Sequence, residues 1–131
     1  MPTPNILASL TFAAAILLPC TAMGIEVRSG QDTAVKAYYV VRSDCTGAGA
    51  HQVSIRTPPA NGTARLARIT WTIEKGDACA GEKTKATVLY YRSRPGFRGT
   101  DTITVQTIHQ LYMEDPVSDV TSTYTVTIEV K

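Results

Sequence analysis

The chain has 131 residues, of which 44% are hydrophobic, and its 13 basic and 11 acidic side chains leave a net charge of +2. This length fits one domain with one core, and so small a net charge gives no indication of nucleic-acid binding. Beyond one apolar run near the N-terminus, the sequence contains no second hydrophobic span, no internal repeat and no low-complexity linker.

The apolar run extends from Ile6 to Leu18. It is too short to span a bilayer comfortably but is typical of the core of a signal peptide. The small residues Ala22 and Gly24 follow it, which predicts cleavage after Gly24, with cleavage after Ala22 as the alternative. A buried helix of a cytoplasmic protein fits poorly, because everything downstream has a β pattern. We therefore predict a signal peptide at 1–24 and a mature domain at 25–131. That domain would be periplasmic or extracellular, with no membrane span left after cleavage.

Three cysteines are present. Cys20 lies in the predicted leader; Leu17 precedes it as in lipoproteins, but Pro19 stands where a small residue is needed, so we expect no lipid anchor. Cys45 and Cys79 remain, and an even number of cysteines in an exported protein predicts a disulfide. Both have polar, glycine-containing surroundings, so the bridge should tie two loops at one end of the fold. Their spacing matches neither a redox nor a zinc motif.

Short β-branched or alternating segments separated by turn residues fill the predicted domain. They are residues 25–28, 34–42, 52–56, 64–73, 87–91, 102–108 and 122–130. The segment 64–73 fits one strand or two strands broken near Arg68, and Asn61-Gly62 before it is a strong two-residue turn signal. Helical periodicity is absent downstream of the leader. This pattern predicts an all-β sandwich of about seven antiparallel strands, with a small closed barrel such as an OB-fold as the alternative.

A sharp corner is predicted between the segments at 87–91 and 102–108. Pro95 fixes φ for the first central position of a type I or II turn, and Gly96 supplies the positive φ that follows in type II. Phe97 interrupts a polar run and should plug the turn from below. Gly99 allows another bend, and Asp101 can accept hydrogen bonds from nearby backbone N–H groups.

These corner residues carry a resemblance to a known family. The pattern Tyr-x-x-x-Pro-Gly-Phe-x-Gly-Thr-Asp-x-Ile-x-Val at 91–105 resembles the corner of bacterial immunoglobulin-like and cadherin-like domains of secreted and surface proteins. Pro-x-x-Gly-Thr at 59–63 resembles the turn that precedes that corner, and 123–130 resembles their last strand. The resemblance covers roughly residues 53–131 and implies an immunoglobulin-like sandwich. It brings no catalytic residues with it.

The chain departs from this family's pattern in three respects. It has a cysteine-bearing insertion around 76–83, a long loop at 109–119, and one copy of a domain that usually occurs in tandem arrays. A single copy needs a partner on which to act.

No catalytic, nucleotide-binding or phosphate-binding motif is present. Several acidic residues lie in predicted loops: Asp44, Asp77, Glu82, Glu114, Asp115 and Asp119. Two of them could in principle act as acid and base or bind calcium, but solvated loop charge accounts for them. We therefore expect a non-enzyme without cofactor or metal.

A basic surface is the first candidate for binding a partner. No acidic residue occurs between Lys83 and Arg98, and we expect Arg92, Arg94 and Arg98 to face an acidic protein or an anionic polymer. The competing interpretation is a solvated sheet face whose cations prevent edge pairing.

A loop with large side chains is the second candidate. Leu111, Tyr112 and Met113 could cap the end of the sandwich, but tyrosine and methionine are also enriched in interface cores. The leading hypothesis is an exported domain that acts by protein–protein contact as an accessory or structural factor of an envelope assembly. The alternative is a small secreted enzyme inhibitor or toxin-neutralising protein that presents the loop at 111–119. An enzyme that uses loop carboxylates is a third hypothesis.

Overall fold

The computed structural model describes residues 24–47, 52–110 and 119–131. The strands in these ranges are β1 (Ile25–Val27), β2 (Thr33–Tyr38), β3 (Gln52–Thr57), β4 (Gly62–Thr72), β5 (Lys83–Ser93), β6 (Gly99–Gln110) and β7 (Asp119–Val130). The described residues include no helix that is long and apolar enough to cross a membrane. The predicted all-β fold is therefore confirmed, whereas the predicted leader lies outside the described residues apart from Gly24.

The strands form two separate sheets rather than one closed barrel. One sheet has the order β1-β7-β6-β3 and the other the order β2-β5-β4. Neighbouring strands are antiparallel except β1, which lies parallel to the end of β7. The architecture is thus a β-sandwich with seven strands among the described residues.

The core lies between the sheets and is built by alternation along the strands. In β6 and β7 the inward positions carry Ile103, Val105, Val126 and Ile128, which cluster with residues of β5 such as Leu89. The outward positions of the same two strands are mostly threonine. This division follows the sequence pattern, because a β-branched polar residue suits an exposed strand face.

Strand β5 is buried on both faces. Leu89 belongs to the core between the sheets, whereas Ala86 and Val88 on the opposite face also have no exposed surface. Their burial places a second, smaller apolar group on the outer side of the β2-β5-β4 sheet. The near-continuous apolar run Ala-Thr-Val-Leu is what a strand covered on both faces requires.

Two long hairpins differ from the sequence expectation. Strands β6 and β7 pair without a register shift from Gly99↔Val130 to Gln110↔Asp119, so only residues 111–118 connect them. Strand β4 is one continuous strand, the first of the two alternatives, and it pairs with β5 from Lys83 to Ser93, beyond the segment 87–91 that the sequence pattern indicates. The hydrogen-bonded ladders of these hairpins are therefore longer than the strands that the sequence pattern indicates.

The Asn61-Gly62 pair does not form a two-residue hairpin, since β3 and β4 belong to different sheets. Gly62 is instead the first residue of β4 and packs closely on β5. A Cβ at this position would collide with the carbonyl oxygen of Arg92 and lie 2.9 Å from the Cα of Ser93. The glycine is thus required by close strand approach rather than by turn geometry.

Buried tyrosines predict a loss of stability at alkaline pH. Burial raises the pKa of Tyr38, Tyr91 and Tyr124, and the carboxylate of Asp101 raises that of Tyr91 further. A phenol whose folded-state pKa is raised contributes stability that is complete below its unfolded pKa and is lost as pH rises above that value. We expect the free energy of unfolding to fall above pH about 10, by at most about 1.4 kcal/mol per pH unit for each phenol that stays neutral in the folded state.

Urea unfolding at pH 8.5, 10 and 11 would measure this slope. The matched variant Tyr124→Phe removes one of the three phenols and should make the slope shallower. An unfolding free energy that is flat between pH 9 and 11 would contradict the buried, neutral state of these tyrosines.

Candidate functional site

The predicted corner is a type II turn that joins β5 to β6. The N–H of Phe97 donates to the carbonyl oxygen of Arg94 at 3.2 Å, and Gly96 at the third position has φ of 82°. Phe97 packs against the core, and its ring lies 3.6 Å from where a Cβ of Gly99 would stand. Pro95, Gly96, Phe97 and Gly99 therefore act together to close one end of the sandwich.

Asp101 ties this corner to the connection between β3 and β4. Its side chain is almost fully buried and accepts hydrogen bonds from the Tyr91 hydroxyl at 2.8 Å and from the N–H groups of Ala60, Asn61 and Thr102 at 3.0–3.1 Å. Two of these donors lie about 40 positions earlier in the chain. A buried carboxylate with four donors therefore organises the fold around this corner.

The opposite end of the sandwich collects three connections. Because the β5–β6 corner is at one end, the connections β2–β3, β4–β5 and β6–β7 all lie at the other. Cys45 in the first and Cys79 in the second form a disulfide with a Cα–Cα distance of 5.4 Å. The prediction that the bridge ties two loops at one end is confirmed. We call this region the disulfide end.

Packing around the bridge makes the disulfide end compact. Cys79 and Ile73 are buried, and Thr84 on the outer face of β5 is 5% exposed. Gly47 lies against Thr84, since a Cβ at Gly47 would be 3.0 Å from the Thr84 hydroxyl oxygen. The β2–β3 connection therefore lies over the outer face of β5, and it covers part of the second apolar group.

Backbone hydrogen bonds hold both bridged connections. Ile73 N–H donates to the carbonyl of Glu82 at 2.8 Å, and Gly81 N–H donates back to the carbonyl of Ile73 at 2.9 Å. In the other connection Arg42 N–H donates to the carbonyl of Thr46 at 2.8 Å. Ordered connections on a rigid sandwich are the usual setting for recognition residues.

Among the described residues, the β6–β7 ladder continues further toward the disulfide end than the β3–β6 ladder. The last described pair between β3 and β6 is Gln52↔Ile108, whereas β6 and β7 pair as far as Gln110↔Asp119. Leu111, Tyr112 and Met113 themselves lie outside the described residues.

The basic candidates lie at the corner end of the sandwich. Arg92 is exposed on the outer face of β5 and donates through Nε to the carbonyl of Gly30 at 2.9 Å. Arg94 follows the end of β5 and places its guanidinium 5.5 Å from the Phe97 ring centre, and Arg98 is exposed just before β6. Arg92 and Arg94 are both exposed on either side of the buried Ser93, although Arg94 follows the last residue of β5.

The basic residues that lie close together in the sequence also separate into two groups along β5. Lys83 and Lys85 lie at the disulfide end on the opposite strand face from Arg92, and Lys85 is about 23 Å from Arg92 at the usual rise per residue. Lys85 Nζ donates to the hydroxyl of Thr70 at 3.0 Å. A run of cations in the sequence thus forms two separate surfaces in the fold.

The side chains of Asp44 and Asp77 accept hydrogen bonds within their own turns. Asp44 accepts hydrogen bonds from the hydroxyl and the N–H of Thr46 at 2.6 and 3.0 Å, and the hydroxyl bond holds its pKa below the ordinary value. Asp77 accepts the N–H of Cys79 at 3.1 Å. Both are Asx-type turns, so these carboxylates shape the two bridged connections. Within the described ranges, no three His, Cys, Asp or Glu residues come together as metal ligands.

An open groove of about 630 Å³ lies along β1 and β2 at the corner end. Two acidic and two basic side chains line it, and Lys131 pairs with Glu26 at 2.7 Å. Asp32 pairs with Arg65 at 2.7 Å, and the guanidinium of Arg65 also stacks 4.1 Å from the Tyr90 ring centre. The lining side chains therefore carry no excess charge of either sign.

Comparison with known proteins adds no constraint on this site. No protein-family model, curated protein or solved structure matches the chain. Any assignment of function therefore depends on the geometry described above.

Proposed function

We propose that this chain is an exported, non-enzymatic module of the immunoglobulin-like type that acts by contact with another protein, as an accessory or structural factor of an envelope assembly. The observation that carries the proposal is the disulfide end, where three connections meet and the Cys45–Cys79 bridge fixes two of them. A rigid group of loops at the end of a sandwich is the part of such folds that binds partners.

The strand order supports the immunoglobulin-like assignment. Strands β2, β5 and β4 correspond in order to B, E and D of that fold, and β3, β6 and β7 correspond to C, F and G. Strand β1 departs from the constant-type arrangement because it lies beside β7 instead of β2. In this correspondence the connections at the disulfide end are B–C, D–E and F–G, two of which form antigen-binding loops in antibody variable domains.

The disulfide supports export. Such bridges persist in oxidising compartments and are rare in the bacterial cytoplasm. Strand β1 begins at Ile25, directly after the cleavage site proposed at Gly24, so removal of the leader would leave every strand of the sandwich in place.

The loop at 111–118 is the proposed contact. It connects Gln110 and Asp119, the last described pair of the β6–β7 ladder, and its sequence includes Leu111, Tyr112 and Met113. Large side chains supported by a rigid scaffold fit the usual composition of an interface centre. The arginines at the corner end form the competing surface.

A secreted inhibitor or toxin-neutralising protein is the second candidate function. The observation that favours it is the length of the β6–β7 ladder, which in the described residues continues past the last β3–β6 pair, because a long hairpin suits a loop that inserts into a concave site. An enzyme as the partner would distinguish this function from a structural role.

Crosslinking in cells, followed by capture and mass spectrometry of the tagged full-length chain, tests the proposal. We expect one dominant envelope protein, and we expect its recovery to fall about tenfold in the variant Tyr112→Ala/Met113→Ala because two large contacts are lost. The matched variant Arg92→Glu/Arg94→Glu should retain it.

If only the arginine variant loses the partner, the contact lies at the corner end and not at the loop. Full recovery in both variants would overturn both surfaces as partner sites. A captured enzyme that the purified chain inhibits would favour the second candidate function.

A further inference from the structure

Strand β7 has a long open edge. Its twelve residues pair along one side with β6, but on the other side, among the described residues, β1 alone pairs with it and reaches only Ile128–Val130. The backbone donors and acceptors that point outward between Asp119 and Thr127 therefore have no partner strand in the described part of the chain. We call this nine-residue stretch the β7 window.

The other edge strands carry the features that natural proteins use to prevent edge pairing. Strand β2 has a register shift and the exposed cation Lys36, and β3 has a register shift beside Arg56. Strand β4 carries the arginines Arg65 and Arg68 along its length. Three of the four long edges are thus protected.

The β7 window has none of these features. It contains no proline and no charge between Asp119 and Glu129, and its pairing with β6 has no register shift. Its outward face is a row of threonines at 121, 123, 125 and 127. Lys36 of β2 lies 5.1 Å over the ring of Tyr124, which faces inward. An unprotected, regular edge of this length is a template for another strand.

We propose that two copies of this chain pair through the β7 window in an antiparallel arrangement, which joins their β1-β7-β6-β3 sheets into one continuous sheet across a two-fold axis. The proposal is independent of the function proposed above, because the β7 window is a strand edge rather than a loop surface at the disulfide end.

The β7 window matches a second copy of itself. With the axis at Thr123, Thr121 opposes Thr125 of the partner subunit and Asp119 opposes Thr127 of the partner subunit. Threonines then face threonines on the outer side, and such cross-strand pairs are favourable. No like charges stand directly opposite in this register.

The length of the β7 window also favours a second copy. It ends where β1 begins to pair, and in the two-fold arrangement the partner's window ends at the same place. Gly24 stands at this boundary, since a Cβ on it would lie 3.2 Å from the carbonyl oxygen of Thr127. An isologous contact of equal strands closes on itself and does not propagate into fibres.

Sedimentation of the chain that is recovered after expression for export tests the proposal through a charge at the axis. We expect a monomer–dimer equilibrium, and we expect Thr123→Lys to weaken it about tenfold or more because two like charges would stand directly opposite. The matched control is Thr102→Lys, which changes an exposed threonine on the same sheet face but on the inner strand β6. The control should leave the equilibrium unchanged.

Crosslinking provides a second measurement. Residues directly opposite in an antiparallel pair have Cα atoms about 4.5–5.5 Å apart, which suits a disulfide. Mild oxidation of Thr123→Cys should therefore yield a covalent dimer, and Thr102→Cys should not.

Three outcomes would overturn the proposal: a monomer up to millimolar concentration, a dimer that Thr123→Lys leaves intact, or a different protein bound at the β7 window of a monomeric chain. Tyr112→Ala/Met113→Ala should leave the dimer unchanged. The test of the loop contact and the test of the β7 window therefore have independent outcomes.

Discussion

Replacing Asp101 by alanine is expected to lower the free energy of unfolding by about 3–4 kcal/mol, because four hydrogen-bond donors lose a buried, charged acceptor. The donors are the hydroxyl of Tyr91 and the N–H groups of Ala60, Asn61 and Thr102. The loss would affect two connections at once, since Asp101 joins the corner to the β3–β4 connection. Urea denaturation followed by circular dichroism measures the change.

The matched variant is Tyr91→Phe. It removes one donor and leaves Asp101 with its three N–H partners, so the expected cost is about 1.5–3 kcal/mol, the value of a hydrogen bond to a charged group. The double variant should cost less than the sum of the two single changes, because both remove the same bond. Equal and small effects of Asp101→Ala and Tyr91→Phe would show that the backbone donors find water instead.

Loss of the disulfide is the second large effect. The bridge closes a sequence separation of 34 residues, and loop entropy assigns to such a closure about 3–4 kcal/mol. We expect Cys45→Ala/Cys79→Ala to lower the free energy of unfolding by that amount and to loosen the cover over Thr84 and the outer face of β5. The local result should be faster amide hydrogen exchange at residues 73–82 than in the corner.

Two controls isolate the bridge. Cys20→Ala should leave stability unchanged, because this cysteine lies in the predicted leader. A reducing agent added to the unaltered chain should reproduce the effect of the double variant. If the reduced chain unfolds at the same urea concentration as the oxidised chain, the bridge contributes nothing to stability.

The sequence predicts those features that depend on neighbouring residues. Alternation places Ile103 and Val105 in the core, and Pro95-Gly96 predicts the turn, because both follow from local backbone geometry. The disulfide is predicted by the even number of cysteines in the mature domain and by its expected export to an oxidising compartment. The strand bounds were less accurate, since β6 and β7 support each other through their ladder as far as Gln110↔Asp119.

Features that depend on distant residues were not predictable. No local signal shows that Asp101 accepts from Ala60 and Asn61, because that contact exists only once two sheets are assembled. The same limit applies to Asn61-Gly62, which fits a hairpin locally but crosses between sheets here. It also applies to the basic stretch, because only the fold shows that Lys85 and Arg92 lie on opposite faces of β5.

The parallel pairing of the first and last strands has a mechanical consequence. Strand β1 lies beside Ile128–Val130, and the pair is extended by Lys131 N–H donating to the carbonyl of Val27 at 2.9 Å and by Ser29 N–H donating to that of Lys131 at 3.0 Å. A force that pulls the N-terminal end of β1 and the C-terminal end of β7 in opposite directions would load all these hydrogen bonds in shear. They would then have to break together instead of one at a time. The domain should therefore resist tension better than its short β1 strand indicates. The rate of unfolding under load would depend on the hydrogen bonds between β1 and the end of β7.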